Sequence, residues 1–321
     1  MNSQIRGTVL LFITALIWGT AFVAQSVGAE TMGPFTFNFA RAILAGIFLI
    51  PTSAVMSAID RKNGLSTTVD GTAAGTSVQA AENGPEAEKS AKSGGKTLII
   101  GGIACGVALF VASNLQQLGI QYTTIGKAGF LTAMYILLVP IASIFLGKKP
   151  GAKVWIGVVI AVVGMYMLCM TQGLTIAPGD FYTILCAFAF TVQIMLIDHF
   201  SPKVDGVKMS CIQFWVVALL SAIMMMIFEK PDPAVMLAAW KSIAYAGIMS
   251  SGVAYTLQII AQKDLNPTVA SLLMSLESVI SALSGWLILH QSMSFREICG
   301  CVLMFAAIIL AELPDRKNKS A

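Results

Sequence analysis

Long apolar runs recur along the chain, and its polar and charged residues fall mainly in the gaps between them. The runs lie near residues 5–27, 34–59, 97–118, 124–146, 152–171, 180–199, 209–228, 240–261, 268–289 and 296–312. Each approaches the ~20 residues that a helix needs to cross a hydrocarbon core of ~30 Å. They are continuous rather than alternating, which points to helices instead of barrel strands, and lipid offers the backbone no other closed hydrogen-bonding scheme. The pattern predicts an all-α polytopic membrane protein of ten transmembrane helices.

Composition agrees with this picture. Of 321 residues, 56% are hydrophobic and only 11% charged, too few to cover a soluble surface of this size. The stretch 60–96 departs from the pattern. It is rich in Gly, Ser, Thr, Ala and Glu, has little apolar surface to bury, and is expected to be a disordered cytoplasmic linker. With ten spans and the N-terminus inside, fifteen of the twenty Lys and Arg residues fall on the cytoplasmic side. The bias of basic residues toward that side predicts that both termini are cytoplasmic.

The chain also reads as five helices written twice. Asn114, Gln117 and Gln121 in span three recur as Tyr255, Gln258 and Gln262 in span eight, with the same spacing on one helix face. Lys153 and Gly157 open span five as Arg296 and Gly300 open span ten. An odd number of spans per copy inverts the second copy. Inverted repeats that enclose a midplane site characterise secondary transporters.

Several segments then resemble a known group. These are LIWGTAFV with Trp18 and Gly19, Pro34 followed by Arg41, FLTAMYILLVP in span four, and AQKDLNPTVASLLMSLESVISALSGWLIL across spans eight and nine. Together they resemble the EamA-type families of the drug/metabolite transporter superfamily, over nearly the whole chain except the linker. The resemblance implies two inverted five-helix repeats, here 1–175 and 176–313, followed by a cytoplasmic tail 314–321. It also implies a bacterial inner-membrane location and movement of small metabolites, often amino-acid related and often outward. Two departures stand out. Ser278 takes the place of the proline in the family's usual Leu-Glu-Pro-Val, and His290 with Gln291 replaces the usual Gly-Glu at the end of span nine.

The polar residues inside the spans are the candidates for function. Glu277 lies ~14 Å along its helix from Pro267, near mid-membrane, where a carboxylate must be protonated, paired or facing a wet cavity. A coupling or substrate-amine role and a packing role both stay open. Arg41 is expected to snorkel to the outer surface, with a bond to an anionic solute group or to Glu277 as the alternative. Asn114, Gln117, Tyr255 and Gln258 are expected in a polar pocket wall, since amides donate and accept and so suit uncharged or zwitterionic solutes. Interhelical hydrogen bonding is the competing reading. Gln121 and Gln262, near helix ends, are expected at the interface. Trp18, Tyr135 and Gln193 complete the candidate substrate-binding set, in a cavity bounded by spans one, three, four, six, eight and nine. Pro140 is expected to bend span four beside it.

The expected partners are the lipid bilayer and a small solute, with protons as a candidate coupling ion. No nucleic acid, cofactor or metal is expected, and the chain is expected to be a monomer or weak homodimer. The alternatives are an intramembrane enzyme, a channel, or a non-transporting sensor. An enzyme would need convergent acids, bases or ligands, yet the topology puts the two histidines, His199 and His290, on opposite sides of the membrane. A channel would need a ring of carbonyls or charges that no segment supplies.

Overall fold

A computed structural model describes residues 3–62, 85–123, 125–148, 150–169, 178–288 and 294–312. Within them the chain is helical apart from short turns and connections, with no strand. In order the elements are α1 (Ser3–Thr31), α2 (Pro34–Lys62), α3 (Pro85–Tyr122), α4 (Ile125–Thr132), α5 (Tyr135–Phe145), α6 (Ala152–Cys169), α7 (Pro178–Phe200), α8 (Gly206–Phe228), α9 (Pro233–Ala238) and α10 (Trp240–Ala244). A π-helical stretch (Tyr245–Ala254) follows, then α11 (Tyr255–Gln262), α12 (Pro267–Met274), α13 (Leu276–Ile288) and α14 (Phe295–Glu312).

Local chemistry sets the starts of these helices. Proline opens α2, α3, α7, α9 and α12, where its missing N–H and fixed φ cost nothing. Asp205 accepts from the backbone of Val207 and Lys208 to cap α8, and Asn266 accepts from Thr268 N at 2.9 Å to cap α12.

Eight stretches of the described residues are long and apolar enough to cross a membrane, against the ten expected from sequence. The shortfall is in the last span of each half. The fifth is a shorter apolar helix over Ala152–Met167. The tenth, α14, carries Arg296, Glu297 and Glu312 within its 18 residues. These two helices pack against each other closely enough that a Cβ on Gly164 would lie 2.8 Å from Gly300 O, the close approach that glycine permits between membrane helices. The expected linker is also narrowed. Helix α2 continues to Lys62 and α3 begins at Pro85, because EAEKSAK after that proline is made largely of strong helix formers. The rest of the linker, the tail after Glu312, and His290 with Gln291 lie outside the described residues.

The outside of the bundle is apolar. Ile47, Val159, Leu219 and Met226 are among many large hydrophobic residues left exposed, as lipid allows and water does not. The interior is mixed. A core containing Leu11, Ile136, Val139, Phe214, Leu273 and Val279 draws on both halves of the chain. Threaded through it are buried polar residues, including Thr14, Asn38, Gln117, Gln193, Gln213 and Gln258. Buried amides in lipid cost free energy unless they are bonded, so their partners identify which ones hold helices together and which are left for something else.

Three helix irregularities gather around the middle of the bundle. Span four is interrupted at Ala133 and Met134, and span nine at Ser275. Met134 has φ −59° and ψ −12°, and Ser275 has φ −62° and ψ −13°. Both are tightened turns closed by i to i+3 bonds, Leu137 N to Met134 O and Ser278 N to Ser275 O. The interruption in span four falls ahead of Pro140, which sits inside α5; the expected proline bend is therefore not the feature that breaks this span. The third irregularity is the π-helical stretch of span eight, which the sequence pattern did not reveal.

Candidate functional site

The π-helical stretch is laced to α1. Thr14 Oγ1 donates to Ala254 O at 3.3 Å, and Trp18 Nε1 to Ser250 O at 3.3 Å. Thr20 and Tyr245 share a hydroxyl bond at 2.5 Å, and just ahead of the stretch Ser242 Oγ of α10 donates to Ala24 O. A widened helix changes the aim of its carbonyls, and such segments recur at functional sites. On its other side a Cβ on Gly247 would lie 3.0 Å from Arg41 O, so α2 is drawn close as well. Helix α13 approaches α1 as tightly, since a Cβ on Gly19 would lie 2.8 Å from Glu277 O.

These approaches enclose a narrow cavity whose interior holds about 20 Å³, close to the room for a single water; counting every gap between its walls and the space open at its mouth, it spans about 430 Å³. Its wall is formed by Trp18, Phe22 and Gln25 of α1, Arg41 of α2, Gln116 of α3, Thr132 of α4, Tyr135 of α5, and Phe190, Gln193 and Ile194 of α7. Ser250 of the π-helical stretch, Tyr255 and Gln258 of α11, Met274 of α12 and Glu277 of α13 complete it. Thr132 ends α4 and Tyr135 begins α5, while Met274 ends α12 and Glu277 lies in the first turn of α13. Both interrupted spans thus face the cavity. At the cavity the two are joined by a bond from Tyr135 Oη to Glu277 Oε1, at 2.9 Å.

Of the residues expected at a solute site, Trp18, Tyr135, Gln193, Tyr255, Gln258 and Glu277 are brought together here, and Arg41 with them. Trp18 and Tyr255 are in contact, with ring centroids 4.6 Å apart. Arg41 is 3% exposed, which corrects the expectation that it snorkels outward: the side chain points into the bundle instead. Its hydrogen bond is a long one to Gln25 Oε1, 3.5 Å, and its guanidinium lies 6.0 Å from the Phe37 ring centroid. No ion pair links Arg41 and Glu277 among the described residues, so one buried cation and one carboxyl group face the same space unbridged. A guanidinium offers five donors in a fixed fork, most of them uncommitted here.

Asn114 and Gln117 do not line the cavity, and the reading that placed them in a pocket wall is corrected. Asn114 accepts from Asn38 Nδ2 at 2.9 Å, and Gln117 Nε2 donates to Gln25 O at 2.9 Å. They tie α3 to α2 and α1. Gln262, expected at the interface, is buried and donates to Ile194 O at 3.4 Å. Gln116, Thr132 and Ser250 were not singled out from sequence. Gln116 adjoins the stripe but points from a neighbouring face, and it reaches Thr132 Oγ1 at 3.5 Å. Ser250 lines the cavity from within the widened stretch. Ser278, in the family's proline position, donates to Gly129 O of α4 at 3.4 Å, joining the two interrupted spans a second time.

The amide facing is uneven. Gln258 Nε2 donates to Gln193 Oε1 at 3.5 Å, while Gln193 Nε2 and Gln258 Oε1, both buried, have no partner among the described residues, as is also true of Gln117 Oε1 and both ends of the Gln213 amide away from the cavity. Each unmet group costs roughly 1–3 kcal/mol, a penalty that a solute can relieve.

Comparison with known proteins agrees with this architecture. The EamA-like transporter family matches residues 5–170 and 177–313. An uncharacterized transporter of Archaeoglobus fulgidus is 26% identical over 304 residues, covering 94% of this chain and 84% of that protein. The uncharacterized transporter YoaV of Bacillus subtilis is 22% identical, with 95% and 96% covered. The uncharacterized transporter sll0355 of Synechocystis is 23% identical, with 96% and 90% covered. A solved crystal structure with 19% identity has the same fold, at a TM-score of 0.71 over 95% of this chain and 96% of that one. A helical chain with membrane-crossing segments, matched by this family over nearly its whole length, is a multi-pass membrane protein that belongs to the EamA-like transporter family of the drug/metabolite transporter superfamily.

Proposed function

We propose that the protein is a secondary transporter that carries a small zwitterionic solute outward across the bacterial inner membrane by alternating access. The observation that carries this reading is the unbridged pair: Arg41 and Glu277 are both buried and both line one cavity. An isolated charge in a membrane interior is costly and is kept where it serves a path or a site. A solute with a carboxylate for Arg41 and an ammonium for Glu277 would satisfy both at once, with Tyr135 orienting the Glu277 carboxyl group. Trp18 and Tyr255 would cover the solute's apolar part.

The alternating-access part of the proposal is a ten-helix bundle of two inverted repeats with both termini cytoplasmic. Three features support it. The family matches the chain in two blocks. Met134 and Ser275, alike in backbone angles, are separated by the same interval as Asn114 and Tyr255. Gln121 donates to Ala29 O of α1 as Gln262 donates to Ile194 O of α7, the corresponding helices of each half. Sites at repeat interfaces bounded by broken helices are a recurring transporter design.

The test is counterflow of amino acids in proteoliposomes, with and without a pH gradient. Wild type is expected to exchange them, and Glu277→Gln to lose at least about tenfold in rate, the loss of one charge-assisted bond of roughly 1.5–3 kcal/mol. Unchanged rate and unchanged pH response in that variant would remove Glu277 from the mechanism.

A further inference from the structure

Resting on the zwitterion reading above, one feature of the cavity adds a statement about the solute's side group. Gln193 and Gln258 are buried to 0% and 1% exposure and line the cavity from α7 and α11. They share one amide-to-amide bond of 3.5 Å, and among the described residues the amide nitrogen of one and the C=O of the other are left without partners. This remainder does not depend on how the amides are turned. Flipping both exchanges which residue supplies the free donor and which the free acceptor, but one of each always remains.

We propose that Gln193 and Gln258 form a side-group subsite that reads a hydrogen-bond donor next to an acceptor, the pattern of a primary carboxamide. A carboxamide oxygen would accept from the free N–H, and its NH₂ would donate to the free C=O. A carboxylate in that place would set its oxygen against the free C=O. A branched alkyl group of equal size would leave both amides unmet in a dry wall, and polar sites reject analogues that lack the matching group more strongly than apolar pockets discriminate by size. The lactam edge of a nucleobase offers the same pair, so the shared chemistry is an adjacent donor and acceptor.

The test uses purified full-length protein in detergent and equilibrium binding of L-asparagine, L-leucine, L-aspartate and uracil; the three amino acids are close in size and shape. Asparagine is expected to bind about tenfold or more tightly than leucine or aspartate. That preference is expected to shrink to about twofold or less in Gln193→Met and, separately, in Gln258→Met. Equal binding of asparagine and leucine to wild type would overturn the subsite and leave the zwitterion reading standing. An asparagine preference that survives in both variants would also overturn it. Uracil binding that depends on Gln193, with no amino acid bound, would uphold the subsite and remove the zwitterion reading. No binding by any of the four would remove both. The comparison among ligands on wild type decides the matter even if a variant fails to fold.

Discussion

The two stripes that look alike in sequence end in different surroundings. Asn114, Gln117 and Gln121 of α3 each bond a neighbouring helix, to Asn38, to Gln25 O, and to Ala29 O and Met32 O, although Gln117 Oε1 has no partner among the described residues. The acceptors Gln25 and Ala29 are four residues apart on α1, as Gln117 and Gln121 are on α3, so the two helices lie in register and the stripe acts as a seam. Tyr255, Gln258 and Gln262 of α11 keep only the last step of that seam, the Gln262 bond to Ile194 O. The first two positions open onto the cavity, where Tyr255 meets Trp18 and Gln258 meets another side-chain amide. Equal spacing fixes which face of a helix is polar; the neighbour decides whether that face is spent on packing or left for a solute.

The sharpest way to break this comparison is to neutralise one amide from each stripe and measure flux. Gln258→Leu is expected to reduce solute exchange about tenfold to a hundredfold per folded molecule, since it removes a cavity amide. Gln117→Leu is expected to leave exchange within about twofold, because its bond is to backbone and away from the solute. Similar losses in both variants would mean that the stripes share a function and that the distinction drawn from their partners is wrong.

Much of this architecture can be read from sequence because lipid imposes it. Continuous apolar runs, charge asymmetry and repeated spacing follow from the solvent and from duplication, and they lead to a helical membrane bundle without any side-chain geometry. Glu277, Tyr135 and Trp18 also stand out as polar or amphipathic groups where lipid tolerates few. What could not be read was direction. Arg41 has a stem long enough to reach the outer surface or turn inward, and the sequence does not distinguish the two; the burial of the side chain and its bond to Gln25 do. Asn38 is wholly buried and bonds Asn114, which its place in the sequence does not reveal. Its signal, an amide three residues before Arg41 in an apolar run, was present but unpaired in sequence. The π-helical stretch left no mark in the hydrophobic pattern, so Ser250 could not be assigned.

A smaller effect sharpens the seam itself. Asn38 Nδ2 donates to Ser113 O at 3.1 Å and to Asn114 Oδ1 at 2.9 Å, so Asn38→Leu loses two contacts between α2 and α3 and leaves Asn114 Oδ1 unmet. Interhelical hydrogen bonds in membranes contribute ~0.6 kcal/mol on average and up to ~1.7. The variant is expected to lie near the upper end, about 1–2 kcal/mol less stable by thermal or detergent unfolding. A loss of exchange out of proportion to that destabilisation would place Asn38 and its seam within the transport machinery.

The smallest expected effect discriminates best, because it compares two amide pairs of the same chemistry. In a double-mutant cycle on unfolding, Asn38 and Asn114 should couple by ~0.6–1.7 kcal/mol, as a short bond between two buried, bonded amides requires. Gln193 and Gln258, joined only at 3.5 Å, should couple by less than about 0.5 kcal/mol in the empty protein. Their coupling should grow when a carboxamide solute is present, since the solute then bonds to both and each loses more when the other is gone. The coupling of Asn38 and Asn114 should not respond to the solute at all. A strong Gln193–Gln258 coupling that is indifferent to solute would identify the pair as a second seam, and α11 would then be built as α3 is.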